Sequence, residues 1–434
     1  MEQHQAVRHP LAFVRAERRW SLEHLARLLA LAAERRGLRY APGRDRIWKW
    51  EHGQTPSDDY QLLLADVLSL DPRLPGRMPW PVWLPAFDTP RPLTPADSRA
   101  VLQEALMPDV TPDRRTFLAY TSTALLAVAA AWPAAAPLPL TSRGAADRVD
   151  EELVDWLEQR AADLAEVTPQ LPAADRLVDA HLHTCLQVID EGSYRPACGR
   201  RLHAIAARLA QTSGWRAFDQ GQHATAQRRW HLALHTAQHT DDADLGAGVL
   251  ADMAYQYTWM RQIGTSTALL GYALEGSGSA AMRCLLHLRT ARACATTGDA
   301  RATTAALAAS EQAWERVRGD RTPAAIGWLS LADLRVDAGR CWLDLGNLAK
   351  ADAAFVEGLE ALAPRRQRTR AVFQTAQAES ALAAGDVERA VHHIQVAGAT
   401  ARASGAARCV TAVDRQRRRI RRTAPGHEAV AVLA

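Results

Sequence analysis

Between residues 44 and 53 the chain reads Arg44-Asp45-Arg46-Ile47-Trp48-Lys49-Trp50-Glu51-His52-Gly53, with cationic and aromatic side chains interleaved over ten positions. At 3.6 residues per turn, Ile47 and Trp50 share one helical face, and Arg46 and Lys49 lie beside it. The apolar pair can plug a small core while the cations point outward. A helix that reads a nucleic acid needs this division: one side packs, the other reaches phosphates and base edges. Gly53 is placed to end the helix, since glycine accepts the left-handed conformation of a C-terminal cap.

Other groups with chemical potential are less pointed. His231, His235 and His239 recur every four residues on one helix. Two histidines so spaced can hold a transition metal. With no further ligand evident beyond Asp241 and Asp242, a polar stripe opposite Trp230, Ala233, Leu234 and Ala237 is the preferred reading, and no metal is expected. No nucleophile–base constellation, glycine-rich phosphate loop or metalloprotease motif appears, so neither an enzyme nor a cofactor is expected. Arg114-Arg115 ahead of the alanine-rich run to Trp132 mimics a twin-arginine export signal. It lies behind a whole domain, however, and its apolar run of about 16 residues falls short of the ~20 that a membrane span requires. A buried or interface helix capped by Asp113 is expected there, and no membrane partner. The run Arg415 to Arg422 is expected to be a solvated C-terminal helix, although a DNA-contacting arm is also open.

The elements that must position these groups follow from composition and pattern. The 434 residues suggest two or three domains, and 48% hydrophobic content allows large cores. Alanine and leucine dominate while β-branched residues are sparse, which favours helices. Lysine occurs only at Lys49 and Lys350. This looks like high-GC codon bias and discounts arginine-rich motifs generally. The net charge of +4 excludes a polybasic nucleic-acid coat. Residues 1–53, however, hold eleven Arg/Lys against six Asp/Glu, a surplus of +5 on the unit that carries the cationic helix. The six cysteines lack C-x-x-C spacing and no signal peptide precedes them, so reduced buried thiols and a cytoplasmic location are expected.

Ile47-x-x-Trp50-Glu51-x-Gly53, then Pro56 and Leu64-Ala65-x-x-Leu68, resembles the recognition helix and next helix of lambda-repressor-like (XRE-family) helix-turn-helix proteins. Ser21-Leu22-Glu23-His24-Leu25-Ala26 resembles that family's second helix, with Ser21 as N-cap and residues 11–19 as helix one. The resemblance covers roughly the first 70 residues. It implies double-stranded DNA as partner, with Ser21, Arg44, Asp45, Arg46, Trp48 and Lys49 facing it and Ile47 and Trp50 in the core. One departure is an insertion, Leu28 to Tyr40, of about three helical turns. It is read as a prolonged second helix ended by Gly37.

Residues 72–112 are expected to be a proline-rich linker and 113–140 an apolar helix and connector. Trp80-Pro-Val-Trp83-Leu-Pro is expected to clip onto a neighbouring domain. From 141 to 434 the pattern is helical and repeats. Leu345-Gly346-Asn347, then Ala351, Phe355, Leu359 and Pro364, resembles the second half of a tetratricopeptide repeat (TPR). Copies occur at Gly385 (Ala390, Ile394, Ala397) and Gly221 (Ala226, Trp230, Ala233, Leu234), with weaker ones at Gly264, Gly298 and Gly192. The turn glycines from 221 onward are 43, 34, 48 and 39 residues apart, so the array is degenerate. Stacking such units forces a solenoid. The expected fold is therefore all-α: residues 1–71 as a helix-turn-helix bundle, followed by an α-solenoid of TPR-like hairpins. Tyr255 and Tyr257, two positions apart, cannot face the same way, so one is a candidate for the concave surface.

The whole resembles helix-turn-helix plus repeat regulators of Gram-positive bacteria, and more closely an actinobacterial set with a long second helix and a Trp-Pro-x-Trp-Leu-Pro linker. The resemblance implies a DNA-binding transcription regulator. Its repeat domain would dimerise, sense a peptide or small molecule, or both. The competing expectation is a protein-interaction scaffold whose N-terminal bundle does not read DNA.

Overall fold

The structure is a computed structural model. It describes residues 10–433 apart from 19, 39, 53, 69–71, 73, 74, 76–79, 81–83, 85–89, 107–119, 121, 135–137, 139, 141–147, 168–173, 221, 318–325, 405 and 406. The expected helix-ending role of Gly53, the clip residue Trp83, the Arg114-Arg115 pair with its cap Asp113, and the turn at Gly221 lie outside these residues.

The described part is helical. An isolated bridge between Arg148 and Ser193 is its only β-type pairing among the described residues. Helices α1 (Pro10–Glu17), α2 (Leu22–Arg35), α3 (Arg44–Glu51) and α4 (Asp58–Leu68) form a first bundle. Ser21 opens α2 by accepting from the His24 amide at 3.0 Å. Leu25, Leu29, Ala32 and Ala33 repeat at helical spacing and are buried. Gly37 closes α2 at φ +69°, with Leu38 N–H on the Ala33 carbonyl and Gly37 N–H on the Glu34 carbonyl. This is the paired bonding that caps a helix through a left-handed residue. The prolonged second helix and its glycine stop are thus as expected. The bundle core joins these residues to Leu11, Ile47, Trp50, Leu63, Leu64 and Leu68. Leu84 belongs to the same core and Trp80 packs against it, so these two residues of the proline-dense tract sit on the first bundle.

The expected linker 72–112 is not wholly extended. It contains α5 (Pro95–Leu106), and α6 (Ser122–Ala131) follows. From Glu151 the helices stack: α7 (Glu151–Val167), α8 (Ala174–Glu191), α9 (Pro196–Asp219), α10 (His223–Ala237), α11 (Ala243–Trp259), α12 (Ile263–Gly276), α13 (Ala280–Ala295), α14 (Ala300–Val317), α15 (Leu331–Asp344), α16 (Leu348–Glu360), α17 (Gln367–Ala383), α18 (Val387–Ala403) and α19 (Ala407–Thr423). The densest packing is within consecutive pairs, α9 with α10 through α17 with α18. Thinner packing between pairs extends the stack. A 3-10 turn, Glu428–Leu433, packs on α18 and α19 and closes the C-terminal end.

The hairpin turns share one mechanism. Gly298, Gly346 and Gly385 adopt φ of +78°, +77° and +79°. The next residue in each case, Asp299, Asn347 or Asp386, donates its amide to the carbonyl five positions back, at 3.2, 2.8 and 2.9 Å. Its side chain then accepts from the amide three positions on, at 2.9, 3.2 and 2.9 Å. One dipeptide therefore closes a helix and opens the next. Gly264 was expected to act likewise, but it lies inside α12. The left-handed residue there is Arg261, at φ 62°, with Gln262 N–H on the Tyr257 carbonyl. Ala197, expected at a packed position after Gly192, is exposed, and Cys198 and Gly199 face inward instead. Where the repeat pattern is strongest the packing follows it. Ala351, Phe355, Ala390, Ile394, Ala226 and Trp230 are all fully buried. A Cβ at Gly339 would meet the Phe355 ring at 2.8 Å, and one at Gly214 would strike Trp230, so small residues on the first helix of a pair seat the aromatic of the second.

Candidate nucleic-acid interface

Helix α3 is wedged into the bundle by two residues. Ile47 is 0% exposed and Trp50 1%. Burying each contributes about 1.5–3 kcal/mol, enough to fix the rotation of a two-turn helix. Arg44, Asp45, Arg46, Trp48 and Lys49 are therefore all turned outward, and each is exposed. The end of α3 is tied to α1. Arg15 holds Glu51 through Nε–Oε1 at 2.8 Å and Nη2–Oε2 at 3.0 Å, while its Nη1 donates to the Trp20 carbonyl. The Glu51 carboxylate is 4% exposed. The Arg15 guanidinium is held above its ordinary pKa, chiefly by the hydrogen bond to Glu51. A second bidentate pair, Arg36 with Asp66, ties the end of α2 to α4. Sequence spacing revealed neither tie, because the partners stand 36 and 30 residues apart.

The outward residues are not equivalent. Arg46 donates to the Tyr60 hydroxyl at 2.9 Å, with its guanidinium carbon 5.4 Å from the ring centroid. That contact orients the cation while leaving it accessible. Lys49 is exposed beside it. Trp48 stacks on His52, with centroids 3.9 Å apart, and His52 Nδ1 lies 2.7 Å from the Trp48 carbonyl. This fixes an exposed indole face on the same side. Arg44 instead pairs with Glu23 at 3.1 Å and with Asp45 at 3.3 Å. The Glu23 carboxyl sits below its ordinary range, held there first by its own backbone amide and then by Arg44 and Ser21. Such exposed pairs are weak and screened by salt, so a phosphate can replace the carboxylates. The surface is thus a short helix presenting two accessible cations, a stacked indole and a third cation that is exchangeable.

Residues 11–73 match a family model described as the SP15 N-terminal domain. No curated protein matches the chain. The match takes in α1 to α4, their connections and the few residues after them, and leaves the helical stack outside it.

The histidine stripe expected on α10 is not a solvated one. His231 and His235 are 2% and 1% exposed. They lie beneath the segment that joins the two parts of the chain. His231 Nε2 and His235 Nε2 lie 3.0 and 3.1 Å from the Arg91 carbonyl. Ser98 Oγ is 2.7 Å from His235 Nδ1, and Tyr120 OH is 3.3 Å from His231 Nδ1. Two neutral imidazoles satisfy this network, each Nε2–H donating to the shared carbonyl and each Nδ1 accepting from a hydroxyl. Burial, then His231, pushes the His235 pKa down to about 3. The Tyr120 amide also donates to Gln227 Oε1, α5 packs on α8 and α10, and α6 packs on α12. Trp132 lies over Gly246 of α11 and Gly276 of α12. Residues 91–106, Tyr120 and residues 122–132 thereby form a strap across one layer of the stack.

No group of three or more His, Cys, Asp or Glu among the described residues could hold a metal ion, and no described helix is long and apolar enough to cross a membrane. The six cysteines are unbridged thiols, with Cys294 half-buried and the others buried. Among the aromatics of the stack, Tyr257 is fully buried, whereas Trp259 and Trp328 are 51% and 44% exposed. Tyr255 is the tyrosine that reaches the surface, with the Arg289 guanidinium 4.4 Å from its ring centroid.

Proposed function

We propose that the chain is a DNA-binding transcription regulator. Helix α3 reads duplex DNA, and the helical stack mediates dimerisation, effector sensing or both. The observation that carries the reading is the orientation of α3. Ile47 and Trp50 lock it into the core and leave Arg46, Trp48 and Lys49 outward with no acidic residue covering them among the described residues. Ser21, at the N-terminus of α2, adds a helix end whose amides favour a phosphate. A symmetric pair of such units would read half-sites about one helical turn apart. Selection of bound duplexes from a random pool by the full chain tests this. An enriched inverted repeat with half-site centres about 10 bp apart is the expected result, and recovery of no motif contradicts it.

A protein-interaction scaffold is the second reading, favoured by the engagement of Arg44 with Glu23 and Asp45. On the effector side, a cavity bordered by Trp132, Gln238, Asp242 and Gly276 has a volume of about 160 Å³. This is below the roughly 300–1,000 Å³ of drug-sized ligand sites, so it does not by itself choose between a peptide and a small molecule.

A further inference from the structure

The first helices of successive hairpins, α9, α11, α13 and α15, pack on one another, whereas the second helices do not pack to a comparable degree among the described residues. The layer that is drawn together lies on the inside of the curve. The Arg216 guanidinium of α9 has its pKa lowered by burial and then by Arg368 of α17, so distant hairpins approach each other across the stack. On this inner layer four first helices bring Gln211, Asp252, Arg289 and Asp337 into a row. Gln211 Nε2 donates to Asp252 Oδ2 at 2.6 Å. Burial pushes the Asp252 carboxyl up to about 7, against the pull of Gln211 and Arg289. Arg289 Nη1 stands 3.7 Å from Asp337 Oδ2, beyond hydrogen-bond reach. Arg289 is only 8% exposed, yet it makes no hydrogen bond to a described residue, and its Nε is buried without a partner. A buried cation is costly unless it is both paired and hydrogen-bonded. Arg292, one turn on, is satisfied, with Nη1 on Asp344 at 3.0 Å. The Arg289 guanidinium carbon lies 4.4 Å from the Tyr255 ring centroid and 6.0 Å from that of Trp328, and Trp215 lies 5.2 Å beyond Tyr255. Trp328 is half-exposed, so this aromatic wall is open to solvent.

We propose that Arg289 binds the carboxylate of an apolar acid on the inner face of the stack, with Tyr255 and Trp328 against the acid's apolar body. The guanidinium fork matches a carboxylate bidentately, and its own neighbours leave that fork without hydrogen bonds. Asp337 and Asp252 stand close enough to repel a dianion, so a single negative charge fits where a phosphate monoester does not. The aromatic wall calls for an apolar body behind that charge, the usual make-up of a ligand site: mostly apolar, with few polar anchors. A free organic acid and the C-terminus of a peptide share this chemistry. The proposal gives the effector-sensing half of the proposed function a site and a ligand class. It stands whether or not α3 reads DNA.

Calorimetric titration of the full chain with phenylacetate and with N-acetyltryptophan, each beside its neutral amide, tests it. At least one acid should saturate with a Kd of about 1 mM or below, and its amide should bind at least about tenfold more weakly. Tighter binding of phenylacetate assigns the site to free acids, and tighter binding of N-acetyltryptophan assigns it to a peptide C-terminus. Arg289→Lys keeps the charge but loses the fork, and should weaken the acid at least about fivefold; Arg289→Met should abolish saturation. Asp337→Asn removes the competing carboxylate and should tighten binding at least about threefold, a gain that a misfolded variant cannot give. Trp328→Ala should weaken the acid with no change in charge. Helical circular dichroism and the unfolding midpoint check each variant. No saturable heat from either acid up to about 20 mM overturns the proposal. So does an amide that binds as its acid does, or an Arg289→Met chain that keeps its fold and binds as the wild type does. An acid that binds through Arg289 without altering DNA affinity would leave this site standing and remove effector control from the proposed function.

Discussion

Two residues, Ile47 and Trp50, decide which way α3 faces, and a third, Glu51, decides how firmly it stays there. Its buried carboxylate is shared with Arg15 on α1, so truncation strands a half-buried guanidinium and opens the joint between the two helices. Glu51→Ala should cost about 2 kcal/mol of stability in a urea titration of the full chain, read on the transition of the N-terminal bundle. A change within a few tenths of a kcal/mol would show that the pair is idle. The Ile47/Trp50 face was legible in the sequence because it depends only on local spacing. The Arg15–Glu51 tie was not, since an ion pair across 36 residues has no signature until the helices are packed. The Tyr60 contact that aims Arg46 was hidden for the same reason. The histidines of α10 were visible as a row, but their role was not. Their partners Ser98 and Tyr120 lie 137 and 111 residues away, on a segment whose docking no local pattern announces.

At the scale of elements, the hairpin turns show what a sequence can and cannot declare. Gly-Asp and Gly-Asn dipeptides marked three turns, because a left-handed position followed by a capping side chain has a composition. The turn between α11 and α12 has no such mark, since Arg261 occupies the left-handed position. An L-residue there is strained, so Arg261→Gly should stabilise the stack by about 1 kcal/mol in thermal or chemical unfolding, net of the exposed bond from Arg261 to the Thr296 carbonyl. Destabilisation would mean that this bond outweighs the strain. The strap makes a pH prediction. His235, with a pKa lowered to about 3, and His203, lowered well below its ordinary value by burial and then by His239, are neutral when folded. Once exposed, both return to a pKa near 6.5. Their contribution is thus fully present above about pH 6.5 and lost progressively as pH falls toward 3, by about 1.4 kcal/mol per unit for each group. His235 is the one of the two that holds the strap, so hydrogen exchange of α5 should accelerate by about fivefold from about pH 6.5 to 5.5 after correction for intrinsic rates. Unchanged protection would show that the strap does not depend on these imidazoles. The helix α5 itself was missed because it sits behind a proline-dense tract whose composition masks one ordinary capped helix.

At the scale of the molecule, the described residues form a small helical bundle with its own core, joined by a histidine-held strap to a helical stack. The stacked fold was readable because one repeat unit cannot bury its own apolar face, and the recurrence of that unit survives degeneration of its spacing. The location of the strap was not, because it depends on which surface of the finished stack remains apolar. The strap is the covalent and packed route between the two parts. Gly246→Ala, which would drive a methyl into the Trp132 ring, should therefore loosen residues 122–132 in limited proteolysis without altering the unfolding of the N-terminal bundle. If α3 faces duplex DNA as proposed, binding to a selected or genomic duplex should depend on salt. Affinity should fall steeply as salt rises, and R46E/K49E should bind more weakly at every salt concentration, with a log–log slope shallower by about two. Binding that ignores salt, or a reversed-charge variant that binds as the wild type does, would contradict the account.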